Sequence, residues 1–219
     1  MHPFTLQGEE LLLLPEKGIY WPAQQTLIVA DIHWGKAYSF RKNYIHLPQG
    51  TTSADLEKLS DMLDKTNASK LLFLGDLFHS KSGKDGKTLK LIEGWRYIHR
   101  HTHMTLVRGN HDLHAGDPPE SLNITCMDEP FTLAPFQFTH HPLNNKGGYN
   151  LCGHVHPSVK LEGNAKQTLH LPCFYFGKTG GILPSFGTFT GSALITSKAG
   201  EQVFVIADNR IIDLSAGML

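Results

Sequence analysis

The sequence predicts an α/β sandwich: two β-sheets packed face to face with helices outside, folded as one domain. Three observations predict it. Apolar runs alternate with helical periodicity in the first half of the chain, and short strand-like runs parted by turns fill the second. Five short blocks rich in Asp, Asn and His sit along this pattern, mostly where an apolar run ends.

Residues 11–14 and 27–30 read as buried strands, separated by the Lys17-Gly18 turn and Pro22. The second run delivers Asp31 and His33 at its end. Residues 52–65 read as a helix, because Leu56, Leu59 and Leu63 recur at helical spacing and Thr52 with Asp55 forms a capping-box pattern. Residues 71–74 are a strand that ends in Gly75-Asp76. Residues 88–101 form the next helix, with Leu91, Trp95 and Ile98 on one face, and the strand at 104–107 runs into Gly109-Asn110-His111. A β-α-β-α-β order predicts parallel strands with right-handed crossovers. Residues 136–139, 149–152, 168–175, 193–196 and 203–206 read as short strands, and they are assigned to a second sheet. A chain of 219 residues without repeats, linkers or biased tracts suits one domain spanning 1–219.

Composition excludes several classes. Lys and Arg total 20, as do Asp and Glu, so no net positive field draws in nucleic acid, although local basic patches stay open. Cys126, Cys152 and Cys173 are odd in number and form no C-x-x-C pair, which fits buried thiols in a reducing cytoplasm. The apolar run at 11–14 is too short for a signal-peptide core or a membrane span, so no membrane partner is expected. Of 14 histidines, six lie inside the five blocks; His99, His101 and His103 are expected at the surface.

The blocks carry chemistry. Asp31-Ile32-His33 and His154-Val155-His156 each place two ligands on one side of an extended segment, since strand side chains alternate. In Gly75-Asp76 the glycine permits a tight turn and the aspartate projects into a cleft. Asn110 offers a neutral carbonyl oxygen, His111 follows pointing elsewhere, and Asp112 is placed to orient it through the imidazole. Gly-His-x-His alone suits half a structural zinc site, but no cysteine pair completes one. Together the blocks supply oxygen and imidazole ligands for two divalent ions with one shared carboxylate. That inventory suits phosphate-ester hydrolysis, with His111 left to move protons.

The order and spacing of these blocks resemble the calcineurin-like metallophosphoesterase superfamily. The resemblance implies a four-layer α/β/β/α sandwich, with Asp31, His33 and His156 on one metal, Asp76 bridging, and Asn110, His140 and His154 on the second. His140 is preferred to His141 because the family ligand ends its strand and is followed by x-Pro. His111 resembles the catalytic histidine. The implied reaction is phosphodiester hydrolysis through a hydroxide held between the metals, manganese first among candidates, with iron or zinc as alternatives.

Further stretches resemble one bacterial branch, the DNA ligase-associated phosphoesterases. They are Leu14-Pro15-Glu16, Tyr20-Trp21-Pro22, residues 31–37, Pro48-Gln49-Gly50-Thr51-Thr52, residues 75–79, Leu171-Pro172-Cys173-Phe174 and residues 183–187 with Thr190-Gly191. This likeness implies a DNA-processing phosphodiesterase or endonuclease associated with an ATP-dependent ligase and a helicase. Lys36, Arg41, His79 and Arg108 lie beside the motifs as candidate phosphate contacts, although each reads equally as an ordinary surface residue. A small nucleotide-type substrate is the alternative that the balanced charge favours. A non-catalytic scaffold with the same fold is the second alternative, and the intact ligand set with His111 opposes it.

Overall fold

The computed structural model describes residues 1–42, 44, 50–144, 147–162, 168–188 and 190–214. Pro48 and Gln49 of the branch motif lie outside the described residues. The first sheet has seven strands in chain order: β1 (His2–Leu6), β2 (Glu9–Leu14), β3 (Gly18–Trp21), β4 (Thr26–Ala30), β5 (Lys70–Leu74), β6 (His103–Val107) and β7 (Ile124–Met127). It opens as an antiparallel meander and turns parallel from β4 onward. Helices α1 (Lys36–Lys42) and α2 (Thr51–Thr66) follow β4, α3 (Gly86–Ile98) follows β5, and α4 (Asn110–Ala115) follows β6.

The second sheet holds β8 (Phe131–Leu133), β9 (Phe136–Phe138), β10 (Tyr149–Cys152), β11 (Pro157–Glu162), β12 (Thr168–Phe176), β13 (Gly180–Ile182), β14 (Ala193–Leu194), β15 (Gln202–Ala207) and β16 (Arg210–Asp213). Its order is β14-β11-β12-β13-β10-β9-β8, with β15 paired to β12 and β16 to β15.

Alternation along β4 explains the stacking. Leu27 and Val29 pack with Leu56, Leu59, Met62, Ile92 and Trp95 of α2 and α3. Ile28 and Ala30 face the other way, into a core shared with Phe136, Phe138, Leu151 and Phe174 of the second sheet. A strand buried on both faces reads as one continuous apolar run. Each large side chain taken out of water there contributes about 1.5–3 kcal/mol.

Several expectations need correction. The α2 cap is Gly50 at φ 86 with no side-chain bond, so Thr52 and Asp55 do not form a capping box. Asp55 turns inward instead and is buried. Helix α3 starts earlier than the spacing suggested, because Asp85 accepts from the Lys87 and Thr88 amides. Its inner face is Ile92 and Trp95, whereas Leu91 and Ile98 are exposed. His99 is half-buried, bonded through Nε2 to Ser60 Oγ at 2.7 Å and packed on Trp95, unlike the exposed His101 and His103. Among the described residues the four α-helices precede residue 116, and α2, α3 and α4 contribute to the core on the outer face of the first sheet. The outer face of the second sheet carries a small cluster of Val159, Cys173, Val203 and Val205 with Leu171, Tyr175, Ile195 and Leu214. The two facing sheets with helices outside are the α/β sandwich that the sequence predicts. Among the described residues no helix is long and apolar enough to cross a membrane.

Asp55 makes a testable contribution to stability. Burial pushes its carboxyl up to about 6, with Lys58 and Lys17 pulling the other way. A carboxyl that holds its proton more tightly when folded stabilises fully below the unfolded pKa of about 3.9, and that contribution is lost as pH rises through the folded value. The stability of wild type minus that of Asp55→Asn is expected to fall between pH 4 and pH 7. Urea midpoints across that range check it, and a flat difference would remove Asp55 as the cause.

Candidate metal centre

The strands bring the five blocks to one place. β4, β5 and β6 are parallel neighbours, so Asp31 with His33, Asp76 and Asn110 leave the first sheet at the same edge. β9 and β10 are parallel neighbours in the second sheet and lead into His140 and His154. Open α/β sheets place ligands at this carboxyl edge.

Local backbone aims the side chains. Asp31, His33, Asp76, His154 and His156 all adopt left-handed conformations, with φ of 56, 55, 53, 66 and 53°. Convergence in Asp-x-His and His-x-His therefore comes from left-handed turns rather than from extended alternation. Such residues cost of order 1–3 kcal/mol each and persist where the surroundings enforce them. The glycines of the blocks serve close approach. A Cβ on Gly75, at φ +76, would run into the His140 ring, and one on Gly109 would run into Asp76 Oδ1.

Two donor sets share one carboxylate. Asp76 Oδ2 lies 3.8 Å from His33 Nε2 and 3.4 Å from His140 Nε2. On one side, Asp31, His33 and His156 form a group whose ligand atoms all lie within 4.8 Å of one another, with Asp31 Oδ1 3.4 Å from His156 Nε2. On the other, His140 Nε2 stands 3.0 Å from Asn110 Oδ1 and 3.1 Å from His154 Nδ1. Outer bonds fix two of the rings. His140 Nδ1 donates to the Leu74 carbonyl at 3.1 Å and His156 Nδ1 to that of Gly191 at 2.9 Å, which turns each Nε2 inward.

The residues fit a cation pair. Asp31 Oδ1 and His33 Nδ1 are buried without a hydrogen-bond partner, a costly state that a bound ion relieves at the carboxylate. Burial drives His33 down to about 3 despite Asp76, so it is a neutral imidazole suited to ligation. Burial opposes charge on both members of the neighbouring pair. Even so, the bond to His140 and its charge hold Asp76 down to about 2, and Asp76 with Asp31 pushes His140 up to about 9.

His111 and Asp112 differ in role. His111 Nδ1 donates to the His79 carbonyl at 2.7 Å, leaving Nε2 toward the site, 4.0 Å from Asp76 Oδ2. Asp112 does not touch that imidazole. Its buried carboxylate accepts from the Asp76, Leu77 and Gly109 amides at 2.7, 3.0 and 2.9 Å, tying the Asp76 turn to α4. Asp112 therefore positions backbone, a correction to its expected place as orienter of the ring. Asp112→Ala leaves these buried amides unpaired at about 1–3 kcal/mol each. We expect a stability loss of roughly 3 kcal/mol or more in denaturant titration; a change below about 1 kcal/mol would contradict this role.

The expected phosphate contacts divide. His79 stacks on His111 with ring centres 5.1 Å apart. Lys36 lies close enough to Asp31 and Asp76 for their charges to offset part of its burial. Arg41 lines a hollow beside α1 with Tyr38, Thr51 and Lys87. Arg108 does not join the site: it is paired with Asp117 at 2.7 Å and Asp128 at 2.8 Å.

Sequence reasoning missed two residues here, Glu129 and Lys84, and set a third, His141, aside. Glu129 accepts from the His140 and His141 amides and from the His141 ring, fixing the segment that ends β9. Lys84 donates to the carbonyls of Ala115, Gly116 and Asp117, anchoring the end of α4. His141 stands over His154 with ring centres 4.4 Å apart. The His140-His141 doublet signalled the last of these; nothing local signalled the other two.

The sequence profile of the calcineurin-like phosphoesterases matches residues 25–186, which span every block above. The chain belongs to the calcineurin-like phosphoesterase family. Among solved structures, the Pseudomonas putida nuclease MPE is 38% identical, with 97% of this chain and 98% of that chain covered and a TM-score of 0.86. The E. coli phosphoesterase Yfce aligns over 85% of this chain and 96% of its own at 16% identity and a TM-score of 0.44, too distant to carry an argument. No curated protein is significantly similar. Family membership makes this chain a hydrolase fold with the residues to hold divalent metal.

Proposed function

We propose that this chain is a binuclear metal-dependent phosphodiesterase acting on DNA. The observation that carries the reading is the single carboxylate Asp76 set between His33 and His140, which gives two donor sets one common ligand. Asp31, His33, Asp76 and His156 would hold one ion, and Asp76, Asn110, His140 and His154 the other. When bound, two divalent ions act as Lewis acids on the phosphate and acidify an attacking water. Oxygen and imidazole donors suit manganese, iron or zinc alike, and the family resemblance puts manganese first.

The remaining steps belong to the chain. Lys36 brings positive charge beside Asp31 and Asp76, where a phosphate has to approach. His111 holds a proton at Nε2 for the leaving oxygen, while the His79 carbonyl fixes its ring through Nδ1. DNA as substrate is supported by the likeness to the Pseudomonas putida nuclease MPE and by the ligase-associated motifs. Association with an ATP-dependent ligase and a helicase, and a cytoplasmic setting in keeping with three free cysteines, complete the proposal.

Charge balance at 20 against 20 favours a second reading, a small nucleotide-type phosphodiester. Manganese-loaded protein assayed on bis(p-nitrophenyl) phosphate, on p-nitrophenyl phosphate and on DNA tests both. Faster diester than monoester turnover with DNA cleavage is expected. Turnover of a cyclic nucleotide without cleavage of any DNA would replace the first reading by the second.

A further inference from the structure

Three hollows line one side of the centre. One, of about 150 Å³, is bounded by Tyr38, Arg41, Thr51, Thr52 and Lys87. It shares Ala37, Thr51 and Thr52 with a narrow middle hollow that reaches His33, Lys36, Asp55 and Thr188. The third, of about 170 Å³, is bounded by Lys17, His156, His170, Thr190 and Ser192. The middle hollow touches His33 and the third touches His156, both in the same donor set as Asp31. The track therefore runs from the first hollow to the His33 side of the centre and continues from its His156 side.

The end hollows fall below the 300–1,000 Å³ that encloses a small organic ligand. Their chemistry is that of an open foothold for an extended anion. Lys17, Lys36, Arg41 and Lys87 line the track against one carboxylate, Asp55, on a chain whose charges cancel as a whole. Glu16, next to Lys17 in sequence, is engaged by Lys65 at 3.1 Å. The first turn of α2 opens on the first hollow through Thr51, Thr52 and Ser53 with no acidic residue in it, so its unpaired amides add to the positive potential. Tyr38, 37% exposed, offers a face on which a base can stack.

We propose that Lys17 and Lys87 hold the phosphates on either side of the scissile one, so that a polynucleotide strand lies from hollow to hollow past the metal centre. This rests on the phosphodiesterase reading and adds to it a requirement for several linked nucleotides. Neither lysine belongs to the donor sets: Lys17, half-buried with Asp55 near enough to offset part of its burial, lines the hollow that touches His156, and Lys87 lines the hollow that adjoins the one touching His33.

The test pairs a binding measurement with a small-substrate assay on the full chain. Fluorescence anisotropy follows a labelled 12-mer of deoxythymidylate on metal-free protein as salt rises. The same preparations, loaded with manganese, are assayed on bis(p-nitrophenyl) phosphate. The double variant Lys17→Gln/Lys87→Gln is expected to bind the 12-mer on the order of tenfold more weakly, with a salt dependence shallower by about 1.4, or about 0.7 per lost contact on a single strand. Its turnover of the small diester should match wild type, and Lys17→Arg/Lys87→Arg should bind the 12-mer like wild type. Unchanged affinity and slope in the double Gln variant would overturn the track, as would equal loss on oligonucleotide and small diester. Wild type that hydrolyses the small diester but does not bind the 12-mer also overturns the track alone. Wild type that binds the 12-mer through these lysines yet turns over no diester removes the proposed function and leaves the track standing.

Discussion

Asp76→Asn is expected to leave a folded protein that no longer retains metal at either half of the centre. The amide keeps Oδ1 as acceptor for the His111 amide, a bond of 2.9 Å in the wild type, so the turn survives. What is lost is the carboxylate charge and the oxygen facing both His33 and His140. Removing a mere outer partner of a ligand already costs 10–100-fold in affinity, so losing the shared ligand should cost on the order of a hundredfold or more at both positions. Metal analysis after dialysis and the manganese-induced rise in melting temperature both report it. In the metal-free state the variant should melt below wild type, because His140 loses the carboxylate with which its charge pairs. Full occupancy of either position would take Asp76 out of the shared role.

His111→Gln is expected to keep metal and lose turnover, by an amount that depends on the leaving group. His111 stands outside both donor sets, and its side chain is 35% exposed. The role proposed for it is to supply a proton from Nε2, and general acids contribute about 10²–10⁴-fold. An alkyl leaving group needs that proton, so turnover of a DNA or methyl diester should fall on the order of a hundredfold or more. A p-nitrophenolate leaves without one, and bis(p-nitrophenyl) phosphate should suffer much less. Equal loss on both leaving groups would assign His111 to charge stabilisation, and loss of metal would make it a ligand.

Much of the centre was legible because its blocks follow strands. An apolar run such as residues 27–30 is buried on both faces wherever it lies, and parallel neighbours deliver the residues after them to one edge. That fixed Asp31, His33, Asp76 and Asn110 as a group before any coordinates. His140 was separable from His141 only through family resemblance; in the structure His140 is fully buried against Asn110 and His154, while His141 turns to Glu129. Short elements without periodicity were not legible. The six-residue helix α4 has too few turns to show a pattern, and β7 and β11 depend on neighbouring strands for their pairing.

By itself the sequence determined the α/β class, the second sheet and the set of Asp, Asn and His side chains that meet at one edge of the strands. These depend on residue type and on spacing along the chain, which the linear order contains. Only the tertiary structure decided where polar side chains spend their hydrogen bonds and charges. Asp112 goes to three backbone amides rather than to the ring beside it, Arg108 goes to Asp117 and Asp128 rather than to substrate, and Asp55 goes into the interior rather than onto a helix cap. A polar group takes the partner that folding brings within about 3 Å, and that partner is set by contacts between segments far apart in sequence.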